Sequence, residues 1–210
     1  MQYKAKIITV SFFIIALLFS GCASVKKQKQ NSLENIQVRL NEYNESDFKQ
    51  VEVTFFTHQS KELVFRVLSD IEHTSQWLSR LNRLEVLDVY NNQEYLLRTI
   101  ISSPWPFKDR ELITCVETSF NKLFTSIHIS SCSDRVTIND EFQRISNVES
   151  HWVITKVSDT LVKVNYKAWL DPTGNVPSFI FNRELINNTK VDFKKLQLVI
   201  DSTSLDQFYY

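Results

Sequence analysis

The sequence predicts an α+β domain in which a curved antiparallel β-sheet packs against a long C-terminal α-helix. Residues 161–170 alternate apolar and polar side chains, which is the pattern of a strand with one dry and one wet face. The pair Asn91-Asn92 separates two apolar segments and is typical of a tight hairpin turn. After Pro177, apolar residues recur at helical spacing to about Asp201, which indicates a long amphipathic helix.

The remaining elements follow from the same two periodicities. Ser60 is placed to cap a first helix, whose apolar pattern continues toward Trp77 through a break near residues 73–75. The apolar residues of this helix are Leu63, Val64, Val67, Leu68 and Ile71. The predicted strands are 35–43, 48–57, 83–90, 94–101, 111–118, 123–130, 150–157 and 161–170. The stripe along the final helix consists of Phe179, Ile186, Phe193, Leu196 and Ile200.

The amino terminus has the features of an export signal. Lys4 and Lys6 precede an apolar segment at 7–19, which is shorter than the roughly 20 residues that a membrane-spanning helix needs. Ser20-Gly21-Cys22 follows and resembles the lipobox of bacterial lipoproteins, which implies cleavage before Cys22 and acylation of its thiol. The alternatives are an ordinary secretory signal cut near Gly21 and a short uncleaved anchor.

This resemblance divides the chain into a signal peptide (1–21), a polar tether (22–33) and one globular domain (34–205). It implies a lipid-anchored protein of the cell envelope, with the membrane as a partner through acylated Cys22. Ala23, rather than Asp, follows the cysteine. In a bacterium with two membranes, this favours the periplasmic face of the outer membrane.

Composition argues against several function classes. The 24 basic and 24 acidic residues balance, so there is no electrostatic footprint for nucleic acid. Gly174 is the only glycine after the predicted cleavage site, which excludes glycine-rich phosphate or nucleophile motifs. The histidines have no metal-ligand spacing, so we expect neither a metal nor another cofactor. These histidines are His58, His73, His128 and His151.

Cys115 and Cys132 lie on or beside two strands of one predicted hairpin. A turn around residues 120–122 would set Cys115 opposite about residue 127 and Cys132 opposite about residue 110. The two thiols would then be some five residues out of register, which is too far for a disulfide. We therefore expect two buried free cysteines.

Four segments resemble the START domains, the steroidogenic-acute-regulatory-related lipid-transfer modules. Residues 103–112, Ser-Pro-Trp-Pro-Phe-Lys-Asp-Arg-Glu-Leu, are similar to their P-W-P-x-x-x-R-[DE] segment. Residues 152–155 lie where they carry a tryptophan-containing strand, and residues 166–177 with Asn182 resemble their D-P-x-G-x-[IVL]-P junction into the last helix. Val191-Asp192-Phe193 matches a triplet often found in that helix. The resemblance spans roughly residues 34–205.

The resemblance implies a helix-grip fold with an apolar tunnel beneath the C-terminal helix, binding a lipid or another apolar molecule without chemistry. Two departures weigh against carrying over sterol specificity. Sterol-binding members often have an Arg where this chain has Val116, and their acidic partner would fall near Leu97 or Arg98. Polyketide cyclases and aromatases share the superfamily, so a cyclase-like enzyme remains an alternative, as does a structural envelope adaptor.

Several residues are candidates for the ligand pocket, each with a structural alternative. Arg98 is either the polar contact of the cavity or a side chain reaching solvent from a sheet edge, and Arg110 either meets a head group or pairs with Asp109 or Glu111. Tyr166 lines the pocket or belongs to the core, where its hydroxyl needs a partner. The full candidate set is Arg98, Trp105, Phe107, Val116, Tyr166, Ala168, Phe179, Ile186 and Phe193.

Overall fold

The structure is a computed structural model that describes residues 36–208. Ser32–Tyr210 forms one compact unit with its own core. The predicted signal peptide, Cys22 and the tether lie outside the described residues. None of the described helices is long and apolar enough to cross a bilayer.

Within residues 36–208, nine strands and two α-helices follow the order ββαβββββββα. The strands are β1 (Gln37–Tyr43), β2 (Ser46–Thr57), β3 (Leu81–Asn91), β4 (Glu94–Ile101), β5 (Arg110–Phe120), β6 (Phe124–Ser131), β7 (Gln143–Ile145), β8 (Val148–Ser158) and β9 (Leu161–Leu170). The helices are α1 (Lys61–Ser69) and α2 (Ser178–Ser202). The Ser60 side chain accepts a hydrogen bond from the backbone N–H of Leu63, which is the predicted cap of α1. A short 3-10 turn at Thr74–Gln76 accounts for the predicted break before Trp77.

The sheet has the strand order β1-β2-β9-β8-β6-β5-β4-β3, with antiparallel pairing throughout that path. Only β7 differs: it pairs in parallel with the first residues of β5. This strand was not predicted, since three residues are too few to show an alternating pattern. The α+β class, the antiparallel sheet and the long final helix are confirmed.

The main core lies between the inner face of the sheet and the two helices. Phe55, Val164 and Ile154 supply its centre from three adjacent strands, and α2 contributes Phe193, Leu196 and Ile200. The predicted stripe is buried at its C-terminal end, at Phe193, Leu196 and Ile200. Phe179, at its start, is 74% exposed. The face of α2 toward the core therefore begins at Thr189.

The prediction of two buried free cysteines is wrong, because Cys115 and Cys132 form a disulfide with their Cα atoms 5.6 Å apart. The predicted hairpin had its turn in the wrong place. In the structure β5 and β6 continue to a turn at 121–124, so that Cys115 pairs with Ser130 and the Cys132 N–H donates to the Ile113 carbonyl. The cysteines are thus two residues out of register, and both are half-buried.

Candidate functional site

One transverse row of side chains forms the floor of the inner sheet face beneath α2. Strand register places these residues side by side across six strands, and the row is apolar except at its centre, where the hydroxyl of Ser150 interrupts it. In order across the sheet, the row is Val51, Ala168, Ser150, Ile129, Val116 and Tyr95. Val116 and Ala168, two of the predicted pocket residues, therefore share one surface.

An aromatic cluster lies on the next row and connects the floor to α2. Trp152 and Tyr166 are directly opposed on β8 and β9, with ring centroids 4.2 Å apart. Phe193 of α2 stacks on Trp152 at 5.4 Å and meets Tyr166 at 5.2 Å. Trp77 contacts Trp152 edge-on at 6.3 Å. Tyr166 and Phe193, both predicted for the pocket, are thus in direct contact.

Polar groups converge at the edge of this cluster. Tyr166 hydrogen-bonds with the side chain of Ser150, which is buried on the floor. Asp192, on α2 beside Phe193, is 7% exposed and accepts a hydrogen bond from the Ser79 N–H at 3.1 Å. Burial raises the pKa of Tyr166 above its usual value, and the nearby Asp192 carboxylate raises it further. An apolar surface therefore ends in a hydroxyl pair and a carboxylate.

The N-terminal half of α2 covers the floor incompletely. None of residues 178–188 is buried, and Ile186 is only half-buried. Tyr95, Leu97 and Ile129 on the inner sheet face are likewise half-buried. Polar connections and one aromatic contact hold this part of the helix. The Asn182 side chain bonds to the backbone of Asp47 and Lys49, Arg80 pairs with Glu184 at 3.2 Å, and the Phe181 ring meets Phe48 edge-on at 5.4 Å.

The loop between β4 and β5 is close to the same end of α2, because the Ser102 N–H donates to the Arg80 carbonyl and Arg80 pairs with Glu184. Trp105, expected in the core or at the pocket rim, is 92% exposed, and Phe107 is also exposed. The guanidinium of Arg110 lies 5.5 Å from the Phe107 ring centre. Trp105, Phe107 and Phe179 therefore present aromatic surface to solvent, because no described element covers them.

Arg110 does not form the expected ion pair with Asp109 or Glu111. Its Nη1 donates to the Ser103 hydroxyl at 2.9 Å and to the Lys108 carbonyl at 2.7 Å. Partial burial lowers the pKa of Arg110, and the negative charge of Asp109 opposes that effect. Arg110 thus stabilises its own loop.

Arg98 faces away from the helix and from the other candidates, so neither of its predicted roles is correct. Its neighbour Leu97 packs on the main core, and alternation turns Arg98 to the outer face. There its Nε donates to Glu111, which is 1% exposed, at 2.7 Å. Arg144 of β7 binds the other oxygen of Glu111 at 2.8 Å. Arg98 therefore belongs to a buried ion triad that anchors the segment before β8.

Two hollows lie outside the helix-covered floor. One, of about 480 Å³, is bounded by the C-terminal ends of α1 and α2 and has Trp77 in its wall. The other, of about 420 Å³, lies on the outer sheet face around His128, His151 and Glu149. Within residues 36–208, no group of three or more His, Cys, Asp or Glu side chains is arranged to hold a metal ion.

Sequence reasoning missed the polar members of the site. Polar residues within strands and helices usually face solvent, so Ser150 and Asp192 were not among the candidates. The signal for Asp192 was present in its helical spacing, since it lies between the core positions Thr189 and Leu196. The signal for Ser150 was its place two residues before Trp152 on the same strand face.

Comparison with known proteins finds no matching family model and no matching curated protein. Solved structures do match. A STAR-related lipid transfer protein from Xanthomonas axonopodis aligns with a TM-score of 0.72 at 19% identity, over 80% of this chain and 95% of that one. Human StAR-related lipid transfer protein 5 aligns at 0.71 and 13% identity, over 84% of each chain. The Zhui aromatase/cyclase from Streptomyces aligns at 0.51 and 10% identity, over 72% and 93%.

Identities this low establish the fold alone. A curved antiparallel sheet that packs against a long C-terminal helix is common to the chain and to these structures. Residues 36–208 therefore adopt the helix-grip fold that these solved structures share.

Proposed function

We propose that this domain binds a lipid or a similar apolar molecule between the sheet and the N-terminal half of α2, and carries or senses it at the bacterial envelope. One observation carries the proposal. Half-buried apolar side chains lie on the inner sheet face at Tyr95, Leu97 and Ile129, and on the N-terminal half of α2 at Leu185 and Ile186. Apolar area that faces a gap gains free energy when a guest removes it from water, by roughly 25 cal/mol per Å².

The edge of the gap supports the same proposal. The exposed Trp105 and Phe179 are near the helix end that would have to move for a guest to enter. Aromatic side chains prefer the boundary between water and hydrocarbon, so these residues are suited to meet a membrane surface. The lipobox-like sequence at Cys22 would keep that surface close to a bilayer.

Exchange with a bilayer is then close to balanced. A methylene gains about the same free energy, roughly 0.8 kcal/mol, in an apolar protein interior as in a membrane. The large hydrophobic free energies of the lipid in the protein and in the bilayer therefore nearly cancel. The tether would increase the rate of exchange by keeping the domain beside the membrane. A carrier of this kind needs no catalytic group.

Native mass spectrometry of residues 32–210, purified from a bacterial host, tests the proposal. We expect a bound mass that organic extraction removes, identifiable as a lipid, and exchange of that lipid with labelled liposomes. An empty protein that exchanges nothing with liposomes of mixed composition would refute lipid binding and leave the fold assignment intact.

A matched pair of variants locates the guest. Ile186→Ala removes apolar contact from the proposed gap, whereas Val191→Ala makes a similar change on the exposed side of α2. We expect retention of the lipid to fall for Ile186→Ala and to be unchanged for Val191→Ala. Because Ile186 is only half-buried, the ligand-free protein should lose less than the 2–5 kcal/mol that is typical of a packed core site. Equal retention by both variants would remove Ile186 from the site.

The cyclase alternative rests on the similarity to the Streptomyces aromatase/cyclase fold. In that case Tyr166, Ser150 and Asp192 would be the polar groups available to a polyketide-like substrate. Conversion of such a substrate, rather than its unchanged recovery, would distinguish the enzyme from the carrier.

A further inference from the structure

We propose that the site selects apolar molecules whose polar end is neutral or cationic and donates a hydrogen bond, such as a long-chain alcohol or amine, and disfavours a carboxylate. This inference rests on the proposed function and specifies its ligand class. Its basis is the position of one buried charge.

Four charged residues are buried among residues 36–208, and only one faces the helix side of the sheet. Glu52 alternates with the core residues Val51 and Val53 and thus points outward, as do Glu111 and Arg144 of the ion triad. Asp192 lies instead on the core-facing side of α2. Any guest between sheet and helix therefore meets a negative charge without a buried positive charge to match it.

The hydrogen bonding of Asp192 leaves room for a donor from the guest. Its Oδ1 accepts the Ser79 N–H at 3.1 Å, and each carboxylate oxygen has lone pairs for more than one donor. Lys195 donates its Nζ to the hydroxyl of the same Ser79 at 2.7 Å, and the Lys195 side chain is exposed. Arg80 is engaged with Glu184. Solvent screens such exposed charges far more than it screens the buried carboxylate.

Two hydroxyl groups extend this acceptor surface. Tyr166 and Ser150 hydrogen-bond to each other, and the Asp192 charge is close enough to raise the pKa of Tyr166. A guest hydroxyl or ammonium can donate to the carboxylate and still meet these hydroxyls. A guest carboxylate supplies only acceptors, and like charges in a poorly solvated site repel.

The test holds the apolar chain constant and changes only its head. Oleyl alcohol, oleylamine and oleate compete at neutral pH against N-phenyl-1-naphthylamine, a neutral fluorescent reporter, bound to delipidated residues 32–210. We expect the alcohol and the amine to displace the reporter at concentrations at least about tenfold lower than oleate, a difference of about 1.4 kcal/mol.

Two acid-to-amide variants isolate the cause. Asp192→Asn keeps an acceptor for the Ser79 N–H and removes the charge. The preference for the alcohol and the amine over oleate should then shrink to about threefold or less, equivalent to roughly 0.7 kcal/mol. Asp206→Asn removes the same charge from an exposed position and should keep the wild-type preference. Tyr166→Phe, which removes one hydroxyl, should weaken the binding of oleyl alcohol more than the binding of oleate.

The outcomes separate this inference from the function beneath it. If neither the reporter nor any of the three competitors binds, the proposed function fails. If all bind but oleate equals or exceeds the alcohol, or if Asp192→Asn keeps the full preference, lipid binding stands and the charge-selection inference is overturned.

Discussion

We expect the disulfide between Cys115 and Cys132 to contribute about 3 kcal/mol to the free energy of unfolding. The two residues are 17 positions apart in the chain. Closing a loop of that length lowers the entropy of the unfolded chain by about 10–11 cal/mol/K, which corresponds to about 3 kcal/mol at 25 °C. In the folded state the β5–β6 ladder already holds the neighbouring backbone, so the bond restricts mainly the unfolded chain.

Urea unfolding of residues 32–210 measures this contribution. The double variant Cys115→Ser/Cys132→Ser should have a midpoint lower by about 1.5 M, for a slope near 2 kcal/mol/M. A reductant should move the wild type to the midpoint of the double variant and leave the variant unchanged. Both cysteines are half-buried, so the serine hydroxyls retain access to water.

A difference below about 1 kcal/mol between oxidised protein and double variant would refute the loop-closure reasoning. Such a result would mean that the unfolded chain keeps these positions close without the bond. A loss well above 3 kcal/mol would also contradict it, because the outer-face packing around the bond would then depend on the disulfide.

Three further predictions concern separate parts of the chain. Glu111→Gln leaves the buried Arg144 and the half-buried Arg98 without the carboxylate that they share, and should cost about 3–5 kcal/mol in urea unfolding. Cys22→Ser should abolish the metabolic labelling with a clickable fatty acid that the wild type shows. Tyr166, whose pKa is raised by burial, stabilises the fold through its neutral form. That contribution is complete below about pH 10 and is lost as the pH rises further, so wild-type stability should fall more steeply than that of Tyr166→Phe between about pH 9.5 and 11.

Each of these predictions has a control and a contrary result. Glu94→Gln changes an exposed acid on the same sheet and should alter stability by less than about 0.5 kcal/mol; an equal loss in both variants would mean that the triad is not special. Labelling that survives Cys22→Ser would contradict acylation at this cysteine. Parallel pH profiles for wild type and Tyr166→Phe would show that the phenol titrates as if exposed.

The elements with long periodic patterns could be predicted from sequence. The alternation in β9 and the stripe at the C-terminal end of α2 reflect burial against one continuous core, which any close packing of these residues requires. The inner-face candidates Val116, Tyr166 and Ala168 share this origin, because register and alternation bring them onto one face of the sheet. Whether they contact a ligand stays a prediction.

The other elements depended on features without a local signature. The position of the turn at 121–124 sets the register of β5 and β6, and a shift of a few residues decided whether two cysteines could bond. Arg98 was placed on the right strand, but Arg144, which binds the same Glu111 carboxylate, comes from a three-residue parallel strand that no periodicity reveals. Trp105 and Phe179 are large and apolar, and apolar character alone does not distinguish a core residue from an exposed one.

The connections that hold the first turns of α2 set a limit on how fast a guest could come and go. The opposite end of the helix is fixed by the buried Phe193, Leu196 and Ile200. The beginning has no buried residue and is held by Asn182, the Arg80–Glu184 pair and the Phe48–Phe181 ring contact. Polar contacts of this kind contribute about 1 kcal/mol or less each. Local unfolding of the first turns of α2 therefore has a low free-energy cost and leaves the rest of the domain folded. Residence time and global stability are therefore separable properties in this chain, and either could change by substitution without altering the other.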